Sequence, residues 1–210
     1  MPIYKTITVD SSTNILIWKI EESFELLSEG VELTDHCQKR VNNMRSDIHK
    51  RGFMSIRHLL AMFGYTDFDL FYDDFGKPHL RDGKYISITH SFEYAGIIVS
   101  DKPVGIDIEK QREKIHRIAH KFVKSEKEFV TKYEQEKTRI LTIIWGAKES
   151  LYKLYGTAGL SFEQNIHIMP FELAMPFTTG SIDHNNIISH YDITFTEFDG
   201  FTCVYALPYL

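Results

Sequence analysis

Apolar and polar positions alternate along "ITVDSSTNILIWKI", residues 7–20, with a polar break in the middle, and predict one or two strands. "EESFELLSE" has the spacing of a short helix. A longer helix is predicted over "SDIHKRGFMSIRHLLAMFG": Ser46 stands at the N-cap, Ile48, Ile56, Leu59, Leu60 and Phe63 form an apolar stripe, and Gly64 closes it. "FGKPHL" reads as a turn. "KYISITHS" and "EYAGIIVS" read as two strands about a Ser-Phe-Glu turn, and "VGIDIEK" as a third.

The period then becomes helical. Ser125 and Glu128 have capping-box spacing. "TRILTIIWGAKESLYKLYG" is the strongest helix, with Ile140, Ile144, Ala147, Leu151 and Leu154 as its buried stripe. "NIHIMPFEL", "ISHYDITFTEF" and "FTCVYALPY" return to strand. The order lacks the regular strand–helix alternation of a parallel sheet, so the expected class is α+β with mostly antiparallel sheet. Strands and one long helix fall in each half, 1–102 and 103–210, which permits a pseudo-duplicated layout, although the two halves show no sequence repeat.

The 210 residues suffice for one large domain or two small subdomains, and 43% hydrophobic with 25% charged residues is an ordinary soluble balance. No apolar run approaches the ~18 residues of a membrane span, and no signal-peptide pattern opens the chain. Two cysteines, Cys37 and Cys203, argue against a disulfide framework and fit a reducing cytoplasm. A net charge of −5 argues against nucleic acid as a partner. Residues 36–58 differ: six basic residues against Asp47 give +5, which suits either an anion-binding surface or a solvated helix face.

Side chains two apart on a strand share a face, so Asp107 and Glu109 present paired carboxylates while Ile106 and Ile108 face the core. Such a pair either ends a strand in solvent or is bridged by a cation, and oxygen-only ligands favour magnesium. In "WGAKESLYK", Glu149 and Lys153 lie together at a spacing of four, with Trp145 four before. Alone they make a surface ion pair. Brought over the Asp107/Glu109 strand, they would complete a site for a magnesium-bound diphosphate. Thr89 and His90, at the end of "YISITH", could meet phosphate. There is no Walker A loop, no zinc spacing and no G-x-S-x-G.

Taken in order, "FGKP", "ISITHS", "VGIDIE" and "WGAKESLYKLYG", with 42 residues from Asp107 to Glu149, resemble the Sfp-type 4′-phosphopantetheinyl transferases. The resemblance runs from about Lys50 to Leu160 and includes a basic helix. It implies a pseudo-dimer of two similar α+β subdomains, 1–102 and 103–210, with the active site between them. It implies transfer of phosphopantetheine from coenzyme A to a serine of an apo acyl or peptidyl carrier protein, by a cytoplasmic monomer acting without membrane or nucleic acid. Asp107, Glu109 and Glu149 match the magnesium ligands, Glu149 also the general base, and Lys153 the group that stabilises the transferring phosphate. Lys148, His90 and Thr89 match phosphate contacts, Lys77 a lysine near coenzyme A, and Lys50, Arg51 and Arg57 the basic helix that meets the 3′-phosphate. Gly146 departs from the Ser, Thr or Cys often found there. A magnesium-dependent diphosphate hydrolase, or a non-catalytic binding homologue, would preserve much of the same pattern.

Overall fold

The alternating segment at the start of the chain forms a hairpin, β1 (Ile3–Thr8) and β2 (Asn14–Lys19), in the computed structural model, which describes residues 3–209. Ser23 then caps α1 (Phe24–Ser28) by accepting the Leu26 N–H. The polar run that follows is also helical, α2 (Asp35–Asn43), a helix its pattern does not predict; its cap is Thr34, whose hydroxyl accepts the Cys37 N–H. The basic stretch becomes α3 (Asp47–Met62). Ser46 takes the N-cap position without a side-chain cap bond.

The expected stripe of α3 is only part of what it buries. Phe53, Met54, Ser55, Ile56, Arg57, Leu59 and Leu60 are all buried, whereas Ile48 is 38% exposed. A small hairpin, β3 (Leu70–Tyr72) and β4 (Pro78–Leu80), carries the expected turn. The long hairpin β5 (Tyr85–Ser91) and β6 (Tyr94–Ser100) completes an antiparallel sheet in the order β1-β2-β6-β5. Leu16, Trp18, Ile86, Ala95, Ile97 and Val99 pack with α3 into one core.

The chain divides into two compact units, Met1–Lys102 and Pro103–Leu210. The second opens with β7 (Gly105–Lys110), followed by α4 (Ile115–Ile118), α5 (Lys127–Lys132) and the 19-residue α6 (Lys137–Tyr155). The predicted capping box at Ser125 does not form. Helix α5 starts later, with Glu126 in the N-cap position, and the Ser125 hydroxyl sits 3.1 Å from His167 Nδ1. Strands β8 (Ile166–Ile168), β9 (Phe177–His184), β10 (Ile187–Phe198) and β11 (Phe201–Pro208) complete an antiparallel sheet ordered β7-β11-β10-β9-β8.

The α6 stripe is buried as its period predicts: Ile140, Ile144, Ala147 and Leu151 are 0% exposed and Leu154 is 6% exposed. The structure is therefore α+β and antiparallel, with a sheet and a long helix in each unit. Among the described residues no helix is long and apolar enough to cross a membrane.

Candidate active site

Helix α6 lies against β7 backbone to backbone. A Cβ built on Gly105 would collide with the carbonyl oxygen of Ser150. One turn earlier on the helix, a Cβ on Gly146 would stand 2.8 Å from Val204 Cγ2 and 3.7 Å from Asp107 Oδ2. The two glycines let the helix approach more closely than any side chain would allow.

That contact decides which face of β7 is which. Asp107 pairs in register with Val204, and Val204 belongs to the core under α6. The carboxylate therefore faces the helix. The expectation that only the isoleucines turn inward is corrected: Ile106 and Ile108 are buried on the opposite face, and Asp107, 6% exposed, is buried as well. Glu109, two residues on, lies nearer the strand end and is only partly buried.

The acids of β7 and the polar residues of α6 are thus brought together. Lys153 Nζ donates to Asp107 Oδ1 at 2.7 Å and to the Ile106 carbonyl at 3.0 Å. Burial and the Asp107 charge push the Glu149 carboxyl up to about 7; Lys153 opposes the shift and Glu109 adds to it. Among the described residues no three His, Cys, Asp or Glu side chains stand close enough to hold a metal jointly. The donor chemistry nonetheless fits a hard divalent cation: three mutually repelling carboxylates against one lysine leave −3 + 1 = −2 when all are ionised.

Lys148 does not join this cluster. It is 0% exposed, and its Nζ donates to the carbonyls of Phe122 (2.6 Å), Phe162 (2.9 Å) and Ile166 (2.6 Å) and pairs with Glu126 at 2.8 Å. An ammonium has three donors, and all are taken up here. The expected phosphate contact is corrected to an interior anchor. Its position one residue before Glu149 turns it by about 100° into the core.

In the first unit Arg57 is corrected in the same way. It lies in the core, 4% exposed, with Nη2 2.7 Å and Nε 2.9 Å from Asp67 Oδ1. Nη1 donates to the Phe53 carbonyl, Nη2 also to Cys37 Sγ, and the guanidinium stands 3.5 Å from the Phe53 ring centroid. Burial would raise the Asp67 pKa, but the Thr34 N–H, Arg57, and the Thr34 and Cys37 side chains hold it below the ordinary value. Lys50 and Arg51 are partly exposed: Lys50 Nζ stands 5.5 Å from the Phe24 ring centroid, and Arg51 Nη2 donates to the Ile20 carbonyl at 2.9 Å.

Thr89 and His90 are neighbours on β5 and so point to opposite faces. Thr89 is buried; exposed His90 lies over Gly52 of α3, its ring 5.9 Å from that of His49. They cannot serve one phosphate from the same face. Lys77 sits half-buried at the end of a turn organised by Asp73, which accepts the Phe75 and Lys77 N–H groups. Burial lowers its ammonium pKa, with Asp73 opposing.

Sequence reasoning marks Gly146 only as a departure from the usual residue and misses its part in the close approach. The available signal was a pair of glycines, 105 and 146, inside elements that otherwise disfavour glycine. It also passed over Glu126, since nothing local marks an acid that will be buried against a lysine 22 residues later.

Comparison with known proteins bears on the second unit above all. A model of the 4′-phosphopantetheinyl transferase superfamily matches residues 103–196, the span that contains β7, α6 and most of the sheet. The chain is 32% identical over 87 residues to the 4′-phosphopantetheinyl transferase gsp of Aneurinibacillus migulanus, covering 40% of this chain and 36% of that protein. The chain thus matches little more than a third of the length of that curated relative. A solved structure, holo-[acyl-carrier-protein] synthase (AcpS) of Thermotoga maritima, superposes with a TM-score of 0.43 and 15% identity, over 50% of this chain and 62% of that one.

Proposed function

We propose, from a second unit whose residues 103–196 match a model of the 4′-phosphopantetheinyl transferase superfamily, that the protein moves the phosphopantetheine arm of coenzyme A onto a serine of an apo acyl or peptidyl carrier protein. The observation that carries this reading is the cluster where β7 meets α6. There a carboxyl raised to about 7, Glu149, stands within the fields of Asp107, Glu109 and Lys153.

The acceptor serine is a weak nucleophile at neutral pH and needs a base. Glu149, titrating close to the working pH, is matched to that task. In the proposed step the serine Oγ attacks the phosphorus that carries pantetheine, and its proton passes to a Glu149 oxygen. The Oγ–P bond forms as the bond from that phosphorus to the bridging diphosphate oxygen breaks. Adenosine 3′,5′-bisphosphate leaves with the electron pair. Lys153, 28% exposed at its side chain, is placed to offset charge on the transferring group. Asp107 keeps that ammonium oriented through the 2.7 Å bond. A magnesium ion held by Asp107, Glu109 and Glu149 would supply Lewis-acid charge neutralisation at the diphosphate. In the first unit Lys50, Arg51, Lys77 and His90 are the proposed coenzyme A contacts; burial withdraws Arg57 and Thr89 of that unit, and Lys148 of the second, from that role.

The deciding experiment mixes the protein with coenzyme A, magnesium and an apo carrier protein and takes the mass of the carrier. A gain of one phosphopantetheinyl group is the expected result. Coenzyme A breakdown with an unmodified carrier would indicate a hydrolase, and no reaction at all a binding protein.

A further inference from the structure

The Lys148–Glu126 pair is buried on both sides, with side chains 0% and 1% exposed. Burying an ion pair seldom stabilises a fold more than apolar side chains of the same volume would. This pair also does something that apolar side chains cannot do. Lys148 Nζ binds carbonyl oxygens from two separate segments: at Phe122 in the loop before α5, and at Phe162 and Ile166 in the turn that leads into β8. Glu126 extends the knot, accepting the Ile168 N–H on Oε1 at 3.0 Å and the Lys124 N–H on Oε2 at 3.2 Å.

The loop 122–126 and the turn-and-strand segment 162–168 are therefore tied to a single point on α6. They also carry rings that pack on Trp145 and Tyr152, the aromatic residues four before and three after Glu149 on the helix. Phe122 meets Trp145 edge-on at 5.1 Å, and Phe162 stands 5.4 Å from Trp145 and 5.5 Å from Tyr152. The glycine contact at β7 sets how near the helix comes. On that side the apolar stripe and the Ser150 hydroxyl, which donates to the Val204 carbonyl at 3.0 Å, hold the helix against the sheet, while the Lys148 knot holds its flank.

We propose that Lys148 and Glu126 are positioning residues: their buried pair fixes the rotation of α6 about its own axis, and with it the direction in which Glu149 and Lys153 face Asp107 and Glu109. The inference rests on the transferase reading for its catalytic consequence. A small misdirection of a catalytic group is enough to cost roughly ten- to a hundredfold in rate.

The test replaces the pair with neutral side chains of similar volume, Lys148→Met with Glu126→Gln, so that no lone charge stays buried. Glu126→Gln alone serves as the milder variant should the double not fold. Two quantities are read on folded protein: kcat with KM for coenzyme A, and the affinity for Mn2+ by calorimetry without coenzyme A. The expected result is kcat down about tenfold or more with KM within about twofold, and Mn2+ affinity down about tenfold. Unchanged kcat and Mn2+ affinity in a folded variant would overturn the proposal. So would a loss of activity that only tracks the folded fraction, or failure of both variants to fold. Should the unsubstituted protein transfer nothing, the transferase reading falls. The Mn2+ arm then decides alone: weakened binding upholds the positioning role, and unchanged or undetectable binding overturns it.

Discussion

Glu149 releases its proton near pH 7 in the folded chain, against 4.5 ordinarily, because burial and then the Asp107 charge disfavour its anion. Linkage turns this into a stability statement. Below about 4.5 the group is protonated in both folded and unfolded chain and contributes nothing. Between about 4.5 and 7 the unfolded chain gives up the proton while the folded chain holds it, so stability falls as pH rises through that window. In chelator, Glu149→Gln should therefore gain about 1–2 kcal/mol on the parent at pH 8 and little at pH 4.5, while transfer is lost. Urea unfolding at the two pH values checks this; an equal difference at both would mean the carboxylate is not strained.

Asp67 has the opposite sign. Its folded pKa is depressed, so its contribution is complete above about 3.8 and disappears as pH falls through the lower folded value. Asp67→Asn, which leaves Arg57 buried without its anion, should cost about 3–5 kcal/mol in urea unfolding at neutral pH. Legibility at this scale follows what each residue depends on. Asp107 and Glu109 could be paired from the strand period alone. Arg57 and Lys148 could not be told from surface cations, because their partners lie in other elements and burial has no local signature.

Between elements, the contact of α6 with β7 is where substitution should be felt most. Gly105→Ala drives a methyl into a main-chain oxygen, which cannot rotate away. It should destabilise by more than about 2 kcal/mol and depress transfer. Gly146→Ala gains about 1 kcal/mol of helix propensity and loses about 1–3 kcal/mol to crowding against Val204. Its net cost should be small, and Val204→Ala in the same chain should relieve it. Thermal melts of the three variants distinguish these outcomes; a mild Gly105→Ala would show that the strand can retreat. Most elements were readable because their period is strong, above all α6. Strand β9 was not, since "FTTGSIDH" is polar and carries Gly180, whose Cβ would crowd Ile193, the His167 carbonyl and Leu151. Helix α2 was hidden by a run with few apolar positions.

For the whole molecule, charge is the property that reaches furthest. The chain carries −5, yet residues 110–132 hold eight Lys or Arg against three acids, which is 8 − 3 = +5. Arg112, Lys114, Arg117, Lys121, Lys124, Lys127 and Lys132 are all exposed. Composition pointed instead to residues 36–58, where one of the six cations, Arg57, proves to be interior. An acidic acceptor would be drawn to the exposed run, so KM for the carrier should rise several-fold between about 0.05 and about 0.3 M salt with kcat little changed. Lys124→Glu with Lys127→Glu should abolish most of that salt dependence; steady-state kinetics at the two ionic strengths measures it, and a flat profile in the unsubstituted protein would remove the run from acceptor binding.

The glycine at 105 has one more consequence, for how this chain can change over generations. The gap between the strand that bears Asp107 and Glu109 and the helix that bears Glu149 is set by main-chain atoms in contact, not by the bulk of an intervening side chain. Substitutions elsewhere in the core, at Ile140 or Phe195 for example, can drift in size without altering that spacing. The site is buffered against the ordinary turnover of its own interior, and the buffering depends on one position that cannot drift at all.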